Sequence, residues 1–166
     1  FIGTRAVDAK QQFDLKRLED YLKLHISGFQ GPIAIEQFSG GQSNPTFILK
    51  TGSGEYVLRR KPPGKLLPSA HAVDREHRVM SALSSTEVPV AKTFCLCEDE
   101  TVIGTAFYVM DYVRGRVLWD GLLPGMNPDE RSLIYDELNR VIAALHAVDH
   151  LPIGLESFGR PGNFVE

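Results

Sequence analysis

With 166 residues, 43% of them hydrophobic and 23% charged, the chain has the length of one ordinary domain and the apolar content for a real core. A net charge of -3 and a pI near 6.0 give no electrostatic case for a nucleic-acid partner or a membrane surface. No apolar run approaches the roughly 20 residues that span a bilayer, and the start has neither the basic nor the apolar region of a secretory signal, so a soluble, cytoplasmic protein is expected. The chain starts without methionine and stops at Glu166 shortly after a helical pattern, which reads as a fragment of a longer protein.

Asp14 is placed to cap a first helix over residues 15–26, where Leu15, Leu18, Leu22 and Ile26 make an apolar stripe and Gly28 and Gly31-Pro32 end it. This helix is expected to pack on the outer side of a sheet. Strands are predicted over residues 33–38, 46–50 and 55–61, with Thr51-Gly-Ser-Gly54 turning the second hairpin. The first turn is Ser39-Gly40-Gly41-Gln42-Ser43-Asn44. Glycines allow positive φ and close backbone approach, and successive N–H groups in such a turn make a concave anion site. An ordinary hairpin tip reads the same way.

Strand alternation puts Val57, Arg59 and Lys61 on one face of the third strand and Tyr56, Leu58 and Arg60 on the other. After a Pro62-Pro63-Gly64 break, a helix is predicted over residues 70–83, with Ala72, Val73, Val79, Met80 and Leu83 in one sector and Glu76 in the middle of it. A carboxylate inside an apolar stripe is costly to desolvate unless a cation meets it. Arg59 is the natural partner; exposure of Glu76 at the stripe's edge, or local pairing with Arg75 or Lys92, is the alternative. Two more strands, over residues 93–98 and 106–113, flank the acidic turn Glu98-Asp-Glu100 and complete a five-stranded antiparallel sheet, an α+β arrangement. Cys95 and Cys97 lie i, i+2 on a strand, which suits reduced, partly buried residues rather than a redox or zinc pair.

Past Gly115 the pattern turns helical. Asn127-Pro128 opens a long helix to about Val148 with Ile134, Leu138, Val141, Ile142, Leu145 and Val148 at helical spacing, a stripe that calls for packing partners. The lobe boundary is placed here: residues 1–113 form one lobe and residues 114–166 the start of a second, helical one.

A glycine-rich hairpin, a basic residue on the next strand, a helix with an embedded glutamate and an apolar strand running into a polar linker follow one another in the order of the amino-terminal lobe of a protein-kinase-like fold. Through Phe38-Ser-Gly-Gly-Gln-Ser-Asn44, Tyr56-Val-Leu-Arg-Arg60, Arg75-Glu-His-Arg-Val-Met80 and Phe107-Tyr-Val-Met-Asp-Tyr-Val-Arg-Gly115, the chain resembles the aminoglycoside phosphotransferase and choline kinase-like branch of that fold. Within it, Arg59-Arg-Lys-Pro-Pro-Gly64 and Gly154-Leu-Glu-Ser-Phe-Gly-Arg-Pro-Gly162 resemble the subgroup fused in animals to an acyl-CoA dehydrogenase module.

The resemblance implies a kinase acting on a small-molecule hydroxyl, with ATP or GTP as donor and Mg²⁺ as metal. Ser39, Gly40, Gly41, Gln42, Ser43 and Asn44 would lie over the phosphates. Arg59, at a position usually lysine, would hold them while paired to Glu76. Val57 would cover the base, Met110 would back it, and Asp111, Tyr112 and Val113 would form the hinge. Arginine is planar and permanently charged, so it binds phosphate and carboxylate by parallel hydrogen bonds but is less compact than lysine. The family's His-Gly-Asp loop and later metal-binding aspartate do not occur in these 166 residues, so no catalytic or metal-binding residue is expected within them and the chain alone is expected to be inactive. A nucleotide-binding or regulatory module without catalysis, and a purely structural interaction domain, are the competing readings.

Overall fold

A computed structural model describes residues 3–40, 43–64, 67 and 70–159. Six strands form one antiparallel sheet: β1 (Thr4–Arg5), β2 (Ala34–Phe38), β3 (Thr46–Thr51), β4 (Gly54–Arg60), β5 (Thr93–Cys97) and β6 (Phe107–Asp111), in the spatial order β1-β2-β3-β4-β6-β5. The five expected strands are present. The sixth, β1, pairs Thr4 with Phe38 and Arg5 with Gln37, and its two residues are too few to show an alternating pattern.

Helix α1 (Leu15–His25) begins where the cap predicts, the Asp14 carboxylate accepting from the backbone N–H groups of Lys16 and Arg17 at 2.9 and 3.0 Å. Leu18 and Leu22 are wholly buried on the sheet among Phe47, Leu49, Leu58, Phe107 and Val109. Each such leucine contributes roughly 1.5–3 kcal/mol through burial. The opposite face carries α2 (Val73–Leu83), where Val73 packs with Ala106 and Tyr108, and Met80, Leu96 and Met110 close around them. Thus each face of the sheet has its own helix, as the periodicities require.

The helix predicted over residues 70–83 starts at Val73, because His71 holds a left-handed backbone (φ 58°) that cannot continue a right-handed helix. The acidic turn after β5 winds into the one-turn helix α3 (Glu100–Ile103). Asp99 accepts from the Thr101 N–H at 2.8 Å, and Gly104 at φ 85° closes it. Cys95 and Cys97 are free and buried on the α1 face, paired in register with Val109 and Phe107. Burial pushes the Cys95 thiol up to about 12.

By compactness, the described residues of 3–80 and 91–113 form one unit, and those of 81–90 and 114–159 another. In the latter lies α4 (Pro128–His146), opened by a capping box in which Asn127 and Glu130 each accept from the other's backbone N–H. No residue of α4 is buried, and Leu138, Ile142 and Leu145 stay 49%, 42% and 46% exposed. The stripe has the expected helical phase, with Ile134 and Val141 half-buried and the residues just named more exposed. No helix of the described residues is long and apolar enough to cross a membrane.

Candidate functional site

The third strand presents its residues as alternation predicts. Register places Ile48, Val57, Met110 and Thr93 side by side across β3, β4, β6 and β5, with Thr46, Arg59 and Tyr108 forming the next row on the same face. Glu76 projects from α2 onto this second row.

Arg59 and Glu76 meet fork to fork, Nε donating to Oε2 at 2.6 Å and Nη2 to Oε1 at 3.3 Å. Nη1 of Arg59 donates to the Thr46 hydroxyl at 3.1 Å. The Glu76 carboxylate accepts two further bonds, from Asn44 Nδ2 at 3.0 Å and from the Tyr108 hydroxyl at 3.1 Å. A guanidinium has five N–H donors in a fixed plane, so among the described residues this arrangement leaves one on each terminal nitrogen. The pair is therefore an aimed cation with donors remaining, rather than a closed surface contact. Burial and the neighbouring carboxylate raise the Tyr108 phenol above its ordinary value, so it stays protonated and donates.

Arg60, on the opposite face, is only 2% exposed. Its guanidinium lies 4.9 Å from the Phe13 ring centroid and 5.6 Å from that of Phe47, and it donates to the Ile103 carbonyl and to the backbone and side-chain oxygens of Gln11. Its Nε has no hydrogen-bond partner among the described residues, and burial lowers its pKa. Arg60 is thus structural. Arg60 therefore faces away from Arg59, as strand phase requires, and its guanidinium is part of the core.

In the glycine-rich turn, Ser39 and Ser43 are exposed and Gly40 is half-buried, while Gly41 and Gln42 lie outside the described residues. The Ser39 N–H donates to the Gly3 carbonyl at 3.1 Å, so this donor is already engaged. Asn44 is buried, with its Nδ2 on Glu76 and its Oδ1 2.8 Å from His71 Nδ1. Its side chain is thus engaged on both sides, by Glu76 and by His71. The structure thus ties the turn to α2 by a side chain.

Val57 is buried beside Met110 in register, and Met110 packs under α2. Asp111 ends β6 opposite Tyr56, its N–H donating to the Lys92 carbonyl at 2.8 Å. Tyr112 is half-buried and lies against Phe38, with ring centroids 6.3 Å apart, and Val113 is 68% exposed. Alternation puts Phe38, Ile48, Val57, Met110 and Tyr112 on one sheet face. An apolar row beside a held cation suits a ligand with a flat apolar part and an anionic part.

Sequence reasoning brought Arg59 and Glu76 together but missed Thr46, His71, Phe38 and Tyr108. Thr46 and Tyr108 share the Arg59 face through the register of β3, β4 and β6, which parity within one strand does not give. Nothing local marks His71, whose place depends on the turn before α2. Among the described residues there is no group of three or more His, Cys, Asp or Glu side chains that could hold a metal ion.

Residues 34–166 match a family model described as the phosphotransferase enzyme family. A "Probable acyl-CoA dehydrogenase IBR3" of Arabidopsis thaliana is 48% identical over 166 residues, covering 95% of this chain and 20% of that protein. The "Acyl-CoA dehydrogenase family member 11" of Homo sapiens is 47% identical over 154 residues, again 20% of its length. Among solved structures, a "putative aminoglycoside phosphotransferase" from Ralstonia eutropha superposes with a TM-score of 0.82 at 56% identity, over 92% of this chain and 44% of that one. The chain thus spans about a fifth of the length of these curated relatives and under half of that solved chain.

Proposed function

Since this chain belongs to the phosphotransferase enzyme family, we propose that its sheet face is the nucleotide half of an ATP-dependent kinase site whose acceptor is a hydroxyl on a small molecule. The observation that carries the reading is Arg59, held in a two-point fork by Glu76 and steadied by Thr46, with an N–H donor remaining on each terminal nitrogen. Phosphoryl transfer asks for positioning and charge compensation more than covalent chemistry, and a guanidinium fixed before the ligand arrives supplies both.

ATP, when bound, supplies the transferable phosphoryl group. The chain's own residues do the rest of the nucleotide's binding. Arg59 holds phosphate oxygens with its remaining donors, and Glu76, Asn44 and Tyr108 keep its plane from rotating. Ile48, Val57 and Met110 offer the base an apolar surface, flanked by Phe38 and Tyr112, and the backbone of residues 111–113 fixes its edge. GTP fits the same description as a donor. The residues that orient the acceptor and hold Mg²⁺ are not among those described, so Mg²⁺ is given no ligand in this chain and the acceptor no contact. Residues 1–113 then serve as the nucleotide lobe and residues 114–166 as the start of the helical lobe, in a cytoplasmic protein.

The test is transfer from γ-labelled ATP by the intact protein to a panel of hydroxyl-bearing metabolites, beside an Arg59→Ala variant. Transfer by the wild type that drops at least about tenfold in the variant supports the reading. Absence of both ATP binding and transfer in the folded protein contradicts it.

A further inference from the structure

We propose that His71 is a positioning residue that sets the direction of the hydrogen bonds reaching Arg59, acting through Asn44 and Glu76. The chain of contacts has only one consistent sense. The Glu76 carboxylate accepts only, so the Asn44 atom facing Oε1 at 3.0 Å is the amide nitrogen. The amide oxygen of Asn44 then faces His71 Nδ1 at 2.8 Å and accepts from it, so the imidazole proton sits on Nδ1. The relay runs His71 to Asn44 to Glu76, where Arg59 also donates.

Two features indicate that His71 is held for this task. Its backbone is left-handed at φ 58°, a conformation that side chains other than glycine adopt at a cost, though Asn, Asp and His tolerate it best. The His71 carbonyl accepts the Val73 N–H at 2.8 Å, which locks the residue to the first turn of α2, the helix that carries Glu76. Asn44 is 5% exposed and stands at the end of the glycine-rich turn. If its amide turned over, its oxygen would oppose the Glu76 carboxylate, the fork would lose a supporting donor, and the turn would lose its tie to α2. His71 prevents that inversion by presenting a donor on the other side.

The inference rests on the nucleotide-binding reading above for its functional effect, but not for the relay itself. Two isosteric replacements separate direction from shape. In His71→Asn the side-chain amide supplies a donor close to the position of Nδ1, and in His71→Asp the same shape offers acceptors only; both residues tolerate the left-handed backbone.

The experiment measures the affinity of the intact protein and both variants for Mg²⁺·ATP, together with the ¹⁵N resonances of the His71 ring in the wild type. The expected results are a ring carrying its proton on Nδ1, an Asn variant within about twofold of wild type, and an Asp variant weakened about tenfold. A ring protonated only at Nε2 overturns the relay whether or not nucleotide binds and whether or not the Asp variant folds. Equal affinities for the two variants overturn the positioning role. A wild type that binds no ATP overturns the kinase reading instead, and the ring spectrum then decides the relay alone.

Discussion

Arg59 and Glu76 are joined by two parallel hydrogen bonds, from Nε at 2.6 Å and from Nη2 at 3.3 Å, one partner on β4 and the other on α2. The contact is the point where the sheet's polar row and the helix's apolar stripe interrupt each other. Both side chains remain partly exposed, 29% and 35%, so the pair gives direction to the guanidinium more than it gives stability to the fold.

Replacing Glu76 by glutamine tests that direction. A carboxamide has one oxygen for the donors of Arg59, Asn44 and Tyr108, and turns an N–H₂ group toward at least one of them. Glu76→Gln is expected to weaken ATP binding to the intact protein by about tenfold, read by calorimetric titration.

Arg60→Gln is expected to do the reverse. The guanidinium is buried between Phe13 and Phe47 and donates to Gln11 and Ile103 through its terminal nitrogens, so its loss removes packing and leaves those acceptors unpaired. Unfolding free energy should fall by about 1–3 kcal/mol, while the folded fraction binds ATP as wild type does. Denaturant titration and ATP titration on the same preparation distinguish the two effects.

Thr46→Val conserves shape and removes the hydroxyl that accepts from Arg59 Nη1 and donates to the Asn44 carbonyl at 3.0 Å. One of the guanidinium's three supports is lost while the Glu76 fork remains. A weakening of ATP binding of roughly threefold to fivefold is expected, smaller than that of Glu76→Gln.

Alkaline pH should destabilise the fold through Cys95. Its thiol is raised from an ordinary value of 9.0 to about 12 because burial disfavours the thiolate. Between these values the unfolded chain releases a proton that the folded chain keeps, so the stability is intact below about pH 9 and is lost as pH rises toward 12. Melting temperatures across that window should fall less steeply for Cys95→Ala than for wild type.

Much of this fold is legible where the signal is local. The Asp14 cap and the Leu18 and Leu22 stripe define α1 within one residue, because capping and helical period operate inside a single element. Arg59 and Glu76 could be paired because strand parity assigns one to a face and desolvation cost demands a cation for the other. Thr46 and Tyr108 join them only through the register of β3, β4 and β6, which packing across three strands decides. His71 is invisible for the same reason: its backbone is set by a turn whose neighbours are distant in sequence. The stripe of α4 shows the converse, a burial signal read correctly in phase whose Leu138, Ile142 and Leu145 stay exposed among the described residues.

Methyl NMR of the intact protein during an ATP titration decides whether nucleotide occupies the sheet face bearing Val57 and Met110. Leu18 and Leu22, buried on the opposite face, serve as internal controls. Saturable shifts of the Val57 and Met110 methyl resonances are expected, weakened in parallel by Arg59→Ala, with the two leucines unmoved. Resonances that stay fixed at saturating ATP, or shifts confined to Leu18 and Leu22, would contradict that placement.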